Sequence, residues 1–223
     1  MLHTSQIDHR FGIVESPAVI RAVLWDFGGV ILSSPFEAFA RYELDRGLPA
    51  GFLRSVNAAH HHTNAWARFE RNELDAEAFD AAFAAESEAL GHRVPGVDVL
   101  GLLAGDVRPE MVDALDGVRT AGYLTACLTN NVRSDVVRPE VVAVMDRFDA
   151  VFESSVLGVR KPEPAFYALA CDGLGVEPSA CVFLDDLGIN LKPARALGMT
   201  TIKVVDPAEA IAELSTVLSL DLT

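Results

Sequence analysis

The chain has 223 residues, half of them hydrophobic, which suffices for one α/β core with a small insert and excludes a disordered polypeptide. Its 18 basic and 32 acidic residues give a formal net charge of −14, a surface that repels nucleic-acid phosphate and anionic lipid. No apolar run approaches the ~20 residues needed to span a bilayer, so neither a nucleic acid nor a membrane is expected as a partner.

Residues 1–20 mix His, Asp, Arg and Glu, lack the apolar stretch of a secretory signal, and read as an N-terminal extension. Residues 21–27 are a short apolar run that stops at Gly28-Gly29, the pattern of a buried strand and a tight turn. From residue 34 to about 104 the composition changes. Apolar residues such as Phe69, Leu74, Phe79 and Phe83 recur at helical spacing, and Asp75 followed by Ala76-Glu77 looks like a helix start. An all-helical insert is expected there. Helix Pro109–Thr120 then ends before Gly122, and residues 123–128 form a buried strand. Ala150–Glu153 reads as a further short strand, 162–174 as a helix with prolines in its first turn, and 181–184 as a strand. A helix over 191–197 is closed by Gly198, a last strand covers 200–205, and Pro207–Leu218 is the final helix. Strands alternating with helices predict a doubly wound parallel α/β sheet covered on both faces. The core is expected over residues 21–33 and 105–223, with the helical insert at 34–104 between them.

Cys127, Cys171 and Cys181 are odd in number and none has CxxC spacing, which argues against a disulfide framework or a zinc site. Cys127 and Cys181 lie in apolar strands and read as small buried hydrophobes. A cytoplasmic location is expected on this basis.

The polar residues at the strand ends carry the chemistry. Asp26 ends the first strand, Thr129-Asn130-Asn131 follow the second, and Asp185-Asp186 follow the run 181–184. In open α/β sheets ligands bind outside the carboxyl ends of the strands, so these groups share one edge. Arg160-Lys161-Pro162 precedes a helix and can aim a cation at it. A carboxylate can attack phosphorus to form an aspartyl-phosphate. Several carboxylates and a phosphate repel one another unless a hard divalent cation such as Mg²⁺ joins them. Lys161 would neutralise further charge, and Thr129 with nearby amides would hydrogen-bond the transferring oxygens.

Asp26-Phe27-Gly28-Gly29-Val30, Leu128-Thr129-Asn130-Asn131, Arg160-Lys161-Pro162-Glu163-Pro164 and Phe183-Leu184-Asp185-Asp186 resemble the four ordered motifs of the haloacid-dehalogenase-like hydrolases. The run from Phe183 through Asn190 to Arg195 is similar to the N-terminal phosphatase domain of bifunctional soluble epoxide hydrolases. The resemblance implies a Rossmann-like core with a helical cap inserted after the first motif, matching the helical stretch read from composition. It also implies roles. Asp26 would be the nucleophile and a Mg²⁺ ligand, joined by the backbone carbonyl of Gly28, by Asp185, and by Asp186 directly or through water. Thr129 and Asn130 would hold the phosphate, Lys161 would stabilise Asp26 and the phosphoryl group, and Asn190 would line the site. The implied activity is hydrolysis of a small phosphorylated substrate by a monomer or homodimer.

One position departs from the pattern. Phosphatases of this family carry a second Asp two residues after the nucleophile as general acid/base, and here that position is Gly28. Gly28 keeps its carbonyl for a metal but supplies no proton. Two other readings therefore stand beside the phosphatase: a dehalogenase or other hydrolase of the same fold, and a phosphate- and metal-binding protein with impaired catalysis. Retention of Asp185-Asp186 favours the metal-using branch.

His60-His61-His62 does not read as a metal site, because consecutive residues on a helix point about 100° apart. A surface or cap-loop position is expected, with one of these histidines a candidate for the missing proton donor. Trp66 and Phe69 read as core of the insert, and Arg133 as surface. No GxxxxGK[ST] or GxGxxG run occurs, which disfavours nucleotide binding through such loops.

Overall fold

A computed structural model describes residues 19–132 and 138–222. The expected N-terminal extension, up to residue 18, and Arg133 lie outside the described residues. Among the described residues five parallel strands form one sheet: β1 (Ala22–Trp25), β2 (Leu124–Thr129), β3 (Ala150–Glu153), β4 (Cys181–Asp185) and β5 (Thr200–Lys203), in the order β3-β2-β1-β4-β5. The chain winds outward from β1 on one side and then crosses to β4 on the other. β1 is therefore the switch point, where the carboxyl ends of neighbouring strands open a crevice.

The side chains of β1 explain its unbroken hydrophobicity. Successive strand residues face opposite sides of a sheet. Val23 and Trp25 join Cys127, Val182, Leu184 and Ile202 in a layer packed on α6 (Pro109–Thr120) and α11 (Pro207–Leu218). Ala22 and Leu24 join Ala126, Leu128 and Phe183 in a layer on the other face. There α9 (Pro164–Leu174) supplies Phe166 and Tyr167, and α10 (Gly188–Ala196) supplies Leu191. Both faces are covered, so period-2 alternation is lost from the sequence. The three cysteines are free and buried in these layers.

Between β1 and α6 lie five helices, and among the described residues no strand interrupts them: α1 (Phe36–Arg46), α2 (Phe52–Ala58), α3 (Ala65–Glu70), α4 (Ala76–Ala89) and α5 (Gly96–Leu100). They enclose their own apolar cluster around Phe79, whose ring stacks at 4.5 Å on Phe69 and at 5.0 Å on Trp66. Burying one such ring is worth roughly 1.5–3 kcal/mol of transfer free energy. Asp75 caps α4 by accepting from the Ala78 N–H, and Asn64 caps α3 from the Ala67 N–H. His60, His61 and His62 lie in the turn between α2 and α3, not on a helix as the 100° argument supposes.

Two short helices between β2 and α9 had no reading in the sequence: α7 (Pro139–Met145) and α8 (Ser154–Leu157). α10 begins three residues before the expected 191–197 helix, because Pro193 sits inside it rather than opening it. Conversely α9 starts at Pro164, and 160–163 form a turn closed by the Glu163 N–H on Arg160 O at 2.8 Å.

Candidate active site

Three strands deliver the site. Asp26 follows β1 directly, and its N–H donates to Leu184 O at 2.8 Å, continuing the β1–β4 ladder one step further. Asp185 is the last residue of β4, and Asp186 follows it. The carboxylate oxygens of Asp26, Asp185 and Asp186 lie within 4.8 Å of one another. Thr129 closes β2 at the same edge and is 6% exposed.

Lys161 comes from the turn ahead of α9, and its peptide bond to Pro162 is cis. Its ammonium stands 2.7 Å from Asp26 Oδ1 and 2.8 Å from Asp185 Oδ2, with the side chain 1% exposed. Asp26 Oδ1 also accepts from the Phe27 N–H at 2.6 Å. Asp185 is fully enclosed. The Leu187 N–H donates to its Oδ1 at 2.8 Å, and the Asn190 amide donates to both its oxygens at 3.1 Å. Tyr167 OH holds Asn190 in turn, donating to its carbonyl at 2.7 Å. Asn190, expected to line the site for substrate, is thus 4% exposed and engaged with Asp185.

Asn130 is used in a way its residue type does not announce. Its Oδ1 accepts from the Lys161 N–H and its Nδ2 donates to the Lys161 carbonyl, both at 2.9 Å. The Asn130 side chain thus grips the Lys161 backbone. Asn131 anchors α8 by accepting from the Ser155 N–H at 3.2 Å.

The two glycines after Asp26 differ. Gly29 has φ +83°, and a Cβ there would overlap the Asp186 carboxylate, so a side chain is strained and displaces that carboxylate. Its carbonyl accepts from Arg108 Nη1 at 2.8 Å. At Gly28 a Cβ would meet nothing within 4 Å.

Two carboxylates share the Lys161 ammonium and a third, Asp186, lies beside them, and the electrostatics follow. Burial, the largest influence, raises the Asp26 carboxyl well above the usual range; Lys161 works against it, and Asp185 and Asp186 reinforce it. Asp186 is pushed up to about 6 by burial and by Asp185. Burial alone would lower Lys161, but Asp185 and Asp26 more than offset it and raise its pKa. The site stays deficient in positive charge. An all-oxygen donor set with excess negative charge fits a hard divalent cation.

The sequence reading missed Glu70 and Arg71. Glu70 ends α3, yet its Oε2 accepts from Asn130 Nδ2 at 3.2 Å and from Arg160 Nε. No signal in a single sequence joins Glu70 to a residue 90 positions away.

The family model for haloacid dehalogenase-like hydrolases matches residues 20–198. The chain is 34% identical over 207 residues to mouse acyl-CoA dehydrogenase family member 10, covering 91% of this chain and 19% of that protein. It is 32% identical over 219 residues to pig bifunctional epoxide hydrolase 2, covering 91% of this chain and 40% of the relative. The chain therefore spans less than half the length of either. A Bacteroides thetaiotaomicron enzyme of the same superfamily, solved with magnesium and inorganic phosphate, superposes with a TM-score of 0.55 at 22% identity over 82% of this chain and 93% of that one. At that identity the likeness concerns the fold. More distant relatives include both a phosphatase and haloacid dehalogenases.

Proposed function

We propose that this chain, which belongs to the haloacid dehalogenase-like hydrolases, is a Mg²⁺-dependent phosphatase of small phosphomonoesters that works through an aspartyl-phosphate on Asp26. One observation carries the reading: Asp26, Asp185 and Asp186 offer carboxylate oxygens within 4.8 Å of one another, and the Lys161 ammonium pairs with Asp26 and Asp185. A site built only to balance charge would not set a third carboxylate beside two that already share one ammonium. Asp26, Asp185 and Asp186, with the Gly28 carbonyl, are the groups that would hold the metal. Bound there, Mg²⁺ would supply charge neutralisation between these carboxylates and the phosphate oxygens.

The chain's own residues then divide the work. Asp26 attacks phosphorus, and the bond from phosphorus to the leaving oxygen breaks. Lys161 holds Asp26 in place and offsets charge on the phosphoryl group, while the Thr129 hydroxyl hydrogen-bonds its oxygens. Asn190 and the Leu187 N–H fix Asp185. The five helices over residues 36–100 serve as the cap that excludes water and selects the substrate. The leaving oxygen takes its proton from water, because Gly28 offers none. In the second step water attacks phosphorus, freeing Asp26 and inorganic phosphate. Lack of a positioned acid/base costs about 10²–10⁴-fold, so esters with good leaving groups are the preferred substrates.

The test is phosphate release from a panel of small phosphomonoesters, with Mg²⁺ and with chelator. Metal-dependent release supports the reading. Halide release from 2-haloacids without metal, and no phosphate release, would replace it with the dehalogenase alternative.

A further inference from the structure

α3 ends on Glu70, and Arg71 follows it. The turn that carries Lys161 is flanked by Arg160 and Glu163. The two pairs of opposite charges face each other. Glu70 Oε2 accepts from Arg160 Nε, and Arg71 Nη1 donates to Glu163 Oε1 at 3.0 Å. The two arginines also hold the histidine turn, Arg160 through the His61 carbonyl at 3.0 Å and Arg71 through the His62 carbonyl at 3.2 Å. This clasp brackets Lys161 on both sides in the chain.

Glu70 reaches Lys161 by a second route. Its Oε2 accepts from Asn130 Nδ2 at 3.2 Å, and the same amide bonds the Lys161 N–H and carbonyl, both at 2.9 Å. A carboxylate only accepts when ionised, so Glu70 favours the amide orientation with Nδ2 toward itself. That orientation leaves Oδ1 for the Lys161 N–H. The Arg160 and Glu70 side chains are 11% and 13% exposed, so the pair is shielded from the screening that makes surface ion pairs weak.

We propose that Glu70 is a positioning residue for Lys161: through Arg160 and Asn130, the helical layer fixes the turn so that the ammonium stands between Asp26 and Asp185. Packing of the helices on the core and placement of the ammonium are then one event. The inference rests on the reading of Lys161 as the group that serves Asp26, and its test does not depend on turnover alone.

The test uses the full chain with Glu70→Ala and Glu70→Gln. Amide hydrogen exchange is read in the 158–163 segment, with β2 as internal control. For Glu70→Ala the expected result is exchange in 158–163 faster by about tenfold or more, with β2 unchanged. With Mg²⁺ and a phosphomonoester, kcat falls by about tenfold to a hundredfold with KM changed far less, as expected for a displaced group rather than lost binding. Glu70→Gln keeps the shape and an acceptor oxygen, and lies between wild type and Glu70→Ala. Exchange in 158–163 and kcat both within about twofold of wild type for Glu70→Ala would overturn the proposal. If Glu70→Ala loosens β2 as well, Glu70→Gln decides. Should the wild type release no phosphate from any ester, the phosphatase reading fails, and the exchange measurement still decides the role of Glu70.

Discussion

Replacing Lys161 with Met removes the ammonium from between two buried carboxylates while keeping most of the side-chain volume. Each contact, at 2.7 and 2.8 Å, is worth about 6 kcal/mol of gross attraction at an effective dielectric constant of about 20. Desolvation of the charges offsets much of that, and breaking a buried pair by deleting one partner costs about 3–5 kcal/mol. At roughly 2–4 °C per kcal/mol for a chain of this size, thermal unfolding without metal should fall by about 6–20 °C. Mg²⁺ should then stabilise the variant more than it stabilises wild type, because the added cation meets carboxylates that have lost their own. The assay is thermal unfolding by circular dichroism of both proteins, in chelator and in saturating Mg²⁺. A metal-free loss below about 1 kcal/mol, or equal Mg²⁺ shifts in the two proteins, would refute the claim that this ammonium holds the carboxylates together.

Gly28→Asp should fold like the parent, since a Cβ there meets nothing within 4 Å. It should raise turnover of esters with poor leaving groups by up to about 10²-fold and of good ones far less; an equal gain on both classes would contradict the missing-acid argument. Gly29→Ala places a Cβ against the Asp186 carboxylate at a φ of +83°, so Mg²⁺ affinity by calorimetry should drop with the fold retained, and unchanged affinity would remove Asp186 from the metal site. The raised Asp186 pKa, about 6 against about 3.9 unfolded, fixes a pH dependence. The folded protein keeps this proton after the unfolded chain has lost it, so the group's effect on stability becomes less favourable as pH rises from about 4 to about 6 and then levels off. Mg²⁺ competes with that proton, so the Mg²⁺-induced rise in unfolding temperature should be small at about pH 5 and full above about pH 7; equal shifts at both would contradict it.

What could be read from the sequence followed from local physics. β1, β2 and β4 are buried on both faces and flanked by turn residues, so their apolar runs are visible and the polar residue after each run is placed at the sheet edge. β3 was also visible, although it is an edge strand with Val151 38% exposed. α8 was not, because a four-residue helix has no period to detect. The start of α10 at Gly188 was not visible, because its N-terminus carries no side-chain cap and Pro193 lies inside the helix. In the site, residue type gave the donors but not their targets. Asn130 and Asn190 are both amides near the carboxyl edge of the sheet, yet one turns to the Lys161 backbone and the other to Asp185. The pairing of Glu70 with Arg160 and of Arg71 with Glu163 could not be read, because these partners lie about ninety residues away and only tertiary packing brings them together.

The central claim is that Asp26 becomes covalently phosphorylated. The direct measurement is rapid acid quench during turnover of a radiolabelled phosphomonoester with Mg²⁺, followed by peptide mapping. With no acid/base at Gly28 to activate water, the phospho-enzyme should accumulate, with label confined to the Asp26 peptide, released by hydroxylamine and absent from Asp26→Asn. Turnover without label on that peptide, or an Asp26→Asn variant that hydrolyses the ester near the wild-type rate, would contradict the account.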